Sequence, residues 1–528
     1  MLRDRADAAF NTARTVLARV PTLAPAAEAV AAAHDRLASA LRVALVGRVG
    51  SGKSTLANAL LGRVGSGEFT LADGRVGSGQ SAVADALLGE RSAATRVQEL
   101  AVKVTWLRHG LPALTAHFTD GRPPEARDLA ELERLVVRAD GAEGLAGFLR
   151  GIDYLEVADP NPYLRAFDLV DTPGLDTPFG AETIARFPGR TSAGVRAASL
   201  EHAGRADAIV LVLAPGLAAA EEELLEDFTA AGFSTATPIT TIGALTKIDL
   251  FWPEHADPMA EGERVAARLM HAAGARRYLY DLRPLATQVG VAADTFGEND
   301  FADLTTLSQI EPDTLTAKLR HGPMHPDLGV PPERGQALFA LFGGYGIALA
   351  CALIRNGIDS IPELRTELLN RSGLTAFRTL LTDHFGNRAD LIKLSRAIQD
   401  VRRLPALAGP TGPRERMALD QAIAAITQLE FQEHALAEFA VLRNHYDGLL
   451  TFNGPQVAEL LRLTGQHGLR LTDRLDLDPA ADPTTQAAKA HERLIYWAGV
   501  DIDPSCRGAT RRAAQVIRQS YELIINDL

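Results

Sequence analysis

One stretch near the N-terminus limits the folds open to this 528-residue chain: residues 41 to 62 read LRVALVGRVGSGKSTLANALLG. An apolar strand pattern runs into a glycine-rich turn and then directly into an amphipathic helix pattern. The turn, Gly47 to Ser54, satisfies G-x-x-x-x-G-K-[ST], with the strand and the helix that this motif requires on either side. Only six of the 54 basic residues are lysines, and Lys53 occupies the lysine position of the motif. The stretch therefore predicts a P-loop.

A P-loop holds phosphate groups at the start of a helix, where backbone N–H groups and the helix dipole both favour an anion. We expect Lys53 to reach the β- and γ-phosphates of a nucleotide and the Ser54 hydroxyl to ligate Mg²⁺. The residues that we expect to contact the phosphates here are Gly47, Gly50, Ser51, Gly52, Lys53, Ser54 and Thr55.

A second motif of phosphate sites follows a predicted strand at Ala166 to Val170. The strand leads into Asp171-Thr172-Pro173-Gly174. At the carboxyl end of such a strand, Asp171 is expected to hold Mg²⁺ through water, and the Gly174 N–H is expected to face the γ-phosphate. Together with Lys53 and Ser54, Gly174 is therefore a candidate catalytic residue.

A third motif indicates the base. The apolar run Ala208 to Leu213 and the run Ile239 to Leu245 both have the character of buried parallel strands, and the second ends in Thr246-Lys247-Ile248-Asp249. Further strands are predicted at Val102 to Leu107 and, as the last strand, at Pro284 to Val289. The Asp249 carboxylate can accept two hydrogen bonds from guanine N1–H and N2–H₂, a donor pair that adenine lacks, while the Lys247 stem lies along the base. The motifs predict GTP or GDP as the ligand and disfavour an ATPase or a kinase.

The P-loop sequence is partly duplicated. Residues 74 to 89 match residues 47 to 62 at 12 of 16 positions, at an offset of 27 residues. Gln80 stands where the first copy has Lys53, and no strand pattern precedes the second copy. We therefore interpret residues 63 to 89 as an insertion beside the nucleotide site and not as a second site.

The length exceeds what one hydrophobic core usually supports, so two or more structural units are expected. We predict an α/β G domain at residues 41 to 325, with a mostly parallel sheet and helices on both faces. Beyond about Pro326 the pattern changes to long helices, which predicts an elongated all-α trunk at residues 326 to 528. Helices within residues 1 to 40 are expected to pack with this trunk.

Charge and cysteine content exclude several classes. A net charge of −12 argues against a protein that binds nucleic acid by wide phosphate neutralisation. The two cysteines, Cys351 and Cys506, provide neither a disulfide framework nor a metal-binding spacing, which fits a reducing cytosol. Residues 337 to 354 carry no charge and are borderline for spanning a bilayer. Their glycines favour a buried trunk helix or a hinge over a membrane span.

The three motifs, in this order and with helical sequence on both sides, resemble the bacterial dynamin-like GTPases. The chain is most similar to the actinobacterial isoniazid-inducible group, through four stretches: VTWLRHG (104 to 110), FGGYGI (342 to 347), residues 368 to 393, and LDLDP (475 to 479). This resemblance implies a cytoplasmic GTPase that acts peripherally at the inner face of the plasma membrane. It also implies homodimerisation through the G domain, or assembly with a dynamin-like paralogue, and membrane fission, fusion or repair.

The chain departs from that family at positions that bear on hydrolysis. Dynamins usually have a glutamine and a serine where this P-loop has Val49 and Gly50. Thr95 is the only threonine near the position of the switch threonine. Leu175 follows the second motif where Ras-type enzymes have a water-orienting glutamine, although a leucine at this position is ordinary for dynamins. The alternative is therefore a non-hydrolysing, nucleotide-binding scaffold or partner subunit of an active dynamin-like paralogue.

Overall fold

The computed structural model describes residues 2–48, 50–61, 69–70, 76–77, 104–131, 151–172, 206–215, 237–271, 275–322, 328–408 and 412–528. Of the duplicated insertion, it describes only two paired two-residue strands. Val49, Thr95, Gly174 and Leu175, which the sequence singled out, lie outside the described residues.

The strands, in chain order, are β1 (Leu41–Gly47), β2 (Phe69–Thr70), β3 (Val76–Gly77), β4 (Val104–His109), β5 (Ala113–Phe118), β6 (Glu125–Arg127), β7 (Ile152–Asp159), β8 (Phe167–Asp171), β9 (Ala208–Leu213), β10 (Thr241–Leu245) and β11 (Leu282–Pro284). Nine of these described strands form one sheet in the order β11-β10-β9-β1-β8-β4-β7-β5-β6.

The described helices are α1 (Leu2–Ala18), α2 (Ala24–Ala38), α3 (Lys53–Leu61), α4 (Pro258–His271), α5 (Thr287–Thr295), α6 (Glu298–Ser308), α7 (Pro312–Arg320), α8 (Pro332–Arg355), α9 (Ile361–Arg371), α10 (Leu374–Leu381), α11 (Ala389–Arg402), α12 (Leu404–Ala408), α13 (Pro413–Thr427), α14 (Leu429–Gln432), α15 (His434–Tyr446), α16 (Gly454–Leu463), α17 (Leu471–Leu475), α18 (Pro483–Ile502) and α19 (Gly508–Asp527).

The chain forms two compact units. One, the sheet unit, comprises Arg42–Leu380, and the other, the helical unit, comprises Met1–Leu41 together with Leu381–Leu528. Helices α8 and α9 therefore belong to the sheet unit, although their helical pattern placed them beyond the sequence boundary at residue 326. A helical pattern identifies a helix but does not identify what the helix packs against.

The predicted fold class, an α/β sheet domain combined with a large helical region, is confirmed. One half of the sheet is parallel: β9 pairs in parallel with both β1 and β10, and β10 pairs in parallel with β11. The other half is mixed, because β4 runs parallel to β7 but antiparallel to β8, and β5 runs antiparallel to both β7 and β6. Four of these seven pairings are parallel, as a mostly parallel sheet requires.

The central strands owe their position to composition. Every residue of β9 and β10 is buried, and so is every residue of β1 except Arg42. Such continuous apolar runs are typical of strands that are covered on both faces. By contrast, buried residues alternate with more exposed ones along β5. This half-buried character explains why β5 was not recognised in the sequence, whereas the strand predicted at Val102 to Leu107 is present as β4.

One predicted strand is wrong in its extent. The sequence suggested a last strand at Pro284 to Val289, but β11 ends at Pro284 and α5 begins at Thr287. The Leu285 N–H still donates to the Leu245 carbonyl at 2.7 Å, after which the chain turns into the helix. Val289, one of the apolar residues that suggested a strand, lies on the buried face of this helix.

Helix α8 contains the uncharged run of residues 337 to 354. By length and composition it is the one helix of the described residues that could cross a membrane. Here it packs into the hydrophobic core of the sheet unit, where Leu338, Phe342 and Ile347 are fully buried or nearly so. The structure therefore agrees with the interpretation of this run as a buried helix.

The helical unit has its own core. Apolar side chains of α1 and α2, including Phe10 and Val30, pack with those of α11 and α13. Lys393 on α11 is buried, and its Nζ donates to the carbonyls of Leu37 at 2.9 Å and Ser39 at 2.8 Å. These carbonyls lie at the C-terminal end of α2, where a cation satisfies groups that lack helical partners.

Candidate nucleotide-binding site

The turn between β1 and α3 needs glycine at three positions. A Cβ on Gly47 would lie 2.3 Å from the Val212 carbonyl oxygen on β9, so no side chain fits there. Gly50 and Gly52 have φ angles of +76° and +86°, which other residues adopt only with strain. The glycines of the motif thus allow the backbone to curl at the carboxyl end of β1.

Lys53 opens α3, and its side chain is buried. Its Nζ donates to the carbonyls of Gly47 at 3.1 Å and Arg48 at 2.8 Å, so the side chain folds back over the turn. Burial lowers the pKa of Lys53 to about 8, partly opposed by the negative charge of Asp171. An anion in the turn would favour the charged lysine and raise that pKa again.

Ser54 and Asp171 meet beside Lys53. The Ser54 hydroxyl donates to Asp171 Oδ2 at 2.8 Å, and among the described residues the buried Asp171 Oδ1 has no hydrogen-bond partner. Burial raises the pKa of this carboxyl, while Lys53 and Ser54 act in the opposite direction. Mg²⁺ prefers oxygen ligands and commonly retains several waters, so one hydroxyl and one carboxylate suit it. The pair therefore fits the predicted magnesium site.

Within the described ranges, no group of three or more His, Cys, Asp or Glu side chains could hold a metal ion.

Two threonine hydroxyls connect the Asp171 motif and the base motif to β1 and the P-loop. The Thr172 hydroxyl donates to the Leu45 carbonyl on β1 at 2.6 Å, which fixes the residue after Asp171. The Thr246 hydroxyl donates to the Ser51 carbonyl at 2.5 Å. Thr246 therefore contacts the P-loop backbone and links the base motif to the phosphate motif.

The base motif turns away from β10 at Lys247, whose φ of +57° places it in the left-handed region. A Cβ on Gly52 would lie 3.9 Å from Lys247 Cε, so this side chain extends along the P-loop. Among the described residues, the buried Asp249 Oδ1 has no hydrogen-bond partner, and burial raises the pKa of its carboxyl. A buried carboxylate oxygen without a donor suits a ligand that supplies N–H groups.

The remaining predicted contacts differ in exposure. Thr55 and Gly50 are exposed, whereas Ser51 is buried and its Oγ has no partner among the described residues. The structure thus brings Lys53, Ser54 and Asp171 together, with Thr246 and Lys247 at the other side of the turn.

Two residues that the sequence did not indicate hold the far end of α3. Arg378 on α10 donates from Nε to the Leu60 carbonyl at 3.1 Å and from Nη2 to the Ala59 carbonyl. Asn161, after β7, donates to the Leu61 carbonyl. A cation at the C-terminal end of a helix is favourable because of unpaired carbonyls and the helix dipole. Neither residue belongs to a nucleotide motif, although Arg378 lies in the 368 to 393 stretch that carries the resemblance.

Strand β1 is an interior strand of the nine-stranded sheet, and a glycine turn connects it to helix α3. This arrangement defines the class: it is an α/β P-loop fold, combined with a large helical region. Within this class, the chain is similar to the isoniazid-induced protein IniC of Mycobacterium tuberculosis. The two are 28% identical over 509 residues, which cover 92% of this chain and 91% of IniC, and the same protein matches in two strains. The predicted resemblance to the isoniazid-inducible group is confirmed by this relative.

No family model matches the chain. Two solved structures described as an oligomerised bacterial dynamin pair, which provides a mechanism for the long-range sensing and tethering of membranes, align at 11% identity with a TM-score of 0.28. They cover 94% and 100% of this chain, and 86% and 74% of their own. Because these TM-scores are low, the fold is assigned from the strand order and pairing of the sheet and not from these alignments.

Proposed function

We propose that this chain is a dynamin-like protein that binds GTP and hydrolyses it to GDP and phosphate. The observation that carries the guanine assignment is the Asp249 carboxylate, whose buried Oδ1 has no partner among the described residues and which follows a lysine that lies along the P-loop. Guanine N1–H and N2–H₂ would satisfy this carboxylate, whereas adenine presents no such donor pair.

On this proposal the residues of the P-loop act by positioning and by stabilising charge. Lys53 would leave the carbonyls of Gly47 and Arg48 and pair with the β- and γ-phosphates. Ser54 and Asp171 would hold Mg²⁺, which neutralises phosphate charge as water displaces GDP from the γ-phosphorus. Gly174, outside the described residues, remains the proposed donor to the γ-phosphate.

Membrane action belongs to the same proposal. Its support is the similarity to IniC along nearly the whole of both chains, together with the stretches that resemble the dynamin-like GTPases. We propose that residues 41 to 325 work as a G domain that pairs with a second copy or with a paralogue. The long helices would transmit that contact to the inner face of the plasma membrane, where the protein associates peripherally.

The P-loop favours a second candidate, a nucleotide-binding scaffold that does not hydrolyse GTP. Gly50 stands where dynamins have a serine, and its φ of +76° is a conformation that a serine adopts only with strain. The turn is therefore built around the glycine, and the hydroxyl that helps hydrolysis in the family is missing. A partner subunit with these features would bind GTP and leave the turnover to an active paralogue.

Replacement of the base-reading carboxylate tests the guanine assignment. Asp249→Asn presents an amide, which pairs with the 2-carbonyl of xanthine better than with the 2-amino group of guanine. We expect GTP affinity to fall by about tenfold or more and XTP affinity to rise, because a buried site rejects a ligand that leaves its polar groups unpaired. Unchanged GTP affinity in a folded variant would show that Asp249 does not read the base.

A further inference from the structure

Helix α8 contains a break that only glycine allows. Within Pro332–Arg355, Gly343 has φ of +65° and ψ of 175°, outside the helical region. This combination is essentially restricted to glycine. The break falls in the FGGYGI stretch, which the nucleotide motifs do not explain. A helix buried in the core thus interrupts its own hydrogen-bond ladder at one defined point.

The turn that carries Asp249 packs against this break. Trp252 lies three residues after Asp249, and its N–H donates to the Asp249 carbonyl at 3.2 Å. A Cβ on Gly344 would lie 2.9 Å from Trp252 Cζ3, so the indole rests directly on the helix backbone. The position of the Asp249 turn therefore depends on the absence of a side chain at Gly344.

The start of α5 is attached to the same segment of α8. Gln288, in the first turn of α5, donates from Nε2 to the Ala340 carbonyl at 3.3 Å. In an unbroken helix this carbonyl would accept the N–H of the residue four positions later. A Cβ on Gly343 would lie 3.4 Å from Gln288 Oε1, and one on Gly346 would lie 3.4 Å from Val289 Cγ2. The break thus receives the start of α5 as well.

Tyr345 lies on the same segment, and its pKa is affected by the charge of Asp249 in the base motif. Burial, with the negative charges of Asp257 and Asp249, raises the pKa of Tyr345 to about 12, against the effect of Arg371. Its hydroxyl therefore stays protonated at physiological pH.

We propose that the glycine break of α8 is a positioning element for guanine recognition, which holds the Asp249 turn and the start of α5 at a fixed separation. The inference rests on the proposed GTP binding and adds a structural determinant of base selectivity outside the nucleotide motifs. Gly343 and Gly344 permit the two contacts, and Trp252 and Gln288 make them. None of the four is proposed to touch the nucleotide phosphates.

The test compares GDP with IDP, which differ only in the 2-amino group, so that phosphate contacts cancel in the ratio of their affinities. If Asp249 accepts both guanine donors, the wild-type chain prefers GDP by about tenfold or more. In Gly344→Ala the new methyl group pushes Trp252 outward, and we expect the preference to fall at least about fivefold. The matched control is Gly335→Ala in the same helix, where the methyl group would lie 3.2 Å from Leu328 Cδ2 and 3.9 Å from Val330 Cγ2, away from the base motif.

Gln288→Met keeps the length of the side chain but removes the donor to Ala340, and it decides the question if Gly344→Ala does not fold. A reduced GDP-to-IDP ratio in these variants, with the ratio preserved in Gly335→Ala, supports the proposal. An unchanged ratio in folded Gly344→Ala, or in Gln288→Met alone if Gly344→Ala does not fold, overturns it. A wild-type chain that binds neither nucleotide overturns the proposed GTP binding and this inference with it, whereas wild-type binding with unaltered variant ratios contradicts only the inference.

Discussion

The Ser54 hydroxyl donates a 2.8 Å hydrogen bond to Asp171 Oδ2, which joins the first turn of the P-loop helix to the end of β8. These oxygens come from positions 117 residues apart. Their meeting beside the buried Lys53 brings the first and second phosphate motifs into one site. A metal ion bound there would be coordinated by the Ser54 and Asp171 oxygens that this hydrogen bond now joins.

Ser54→Ala should therefore uncouple nucleotide binding from Mg²⁺. For the wild-type chain we expect GTP affinity to rise with added Mg²⁺. For the variant we expect the GTP affinity measured with Mg²⁺ to be lower than that of the wild type by about tenfold or more. Titration of a fluorescent GTP analogue with and without Mg²⁺ measures both. Thr306→Ala, which removes an exposed hydroxyl elsewhere in the sheet unit, should retain the full effect. Equal Mg²⁺ dependence in Ser54→Ala and the wild type would exclude the proposed ligand.

The depressed pKa of Lys53 predicts a pH dependence. With its pKa near 8, the free protein loses the Lys53 charge as the pH rises through about 8, whereas bound phosphate keeps the lysine charged. Binding between about pH 8 and pH 10 should therefore take up a proton, and affinity should fall as the pH rises in that window. Calorimetry of GDP binding in two buffers of different ionisation enthalpy measures this uptake.

Lys53→Arg provides the comparison, because a guanidinium stays charged throughout this range. Its binding, even if weaker, should show no proton uptake from this position. Proton uptake of the same size in Lys53→Arg and the wild type would assign the titration to another group.

Arg378 predicts a link between the end of α3 and nucleotide affinity. Arg378→Met would leave the Ala59 and Leu60 carbonyls without this donor, and a buried group that loses its partner costs about 1–3 kcal/mol. We expect a lower unfolding midpoint in denaturant and weaker GDP binding, because α3 carries Lys53 and Ser54. Arg371→Ala removes an exposed ion pair with Glu367 and should change both little. Wild-type values for Arg378→Met would mean that this contact contributes nothing to the site.

Local patterns predicted the part of the site that lies in continuous sequence. The P-loop, β9 and β10 follow from unbroken apolar runs and glycine spacing. The P-loop and the base motif each lie at the carboxyl end of a strand in the parallel half of the sheet. Parallel strands place such ends at one edge, so the approach of Thr246 to the P-loop that carries Lys53 could be expected.

Contacts over long sequence separation could not be predicted in this way. Arg378 lies more than 300 residues from the helix end that it caps, and no periodicity marks it. The glycines of residues 337 to 354 indicated a buried trunk helix or a hinge. The role of Gly344 could not be predicted, because it depends on the indole of Trp252 that packs against it. The half-buried strands β5 and β7 carry too many polar residues to stand out from loops.

GTP binding and turnover by the whole chain test the central claim most directly. The measurement uses purified protein with Mg²⁺, alongside Lys53→Ala, each with and without anionic liposomes. We predict saturable GTP binding and a turnover that rises with liposomes, both lost in Lys53→Ala. The absence of GTP binding would contradict the account as a whole, whereas tight binding without turnover in any condition would contradict hydrolysis and identify the chain as a nucleotide-binding scaffold.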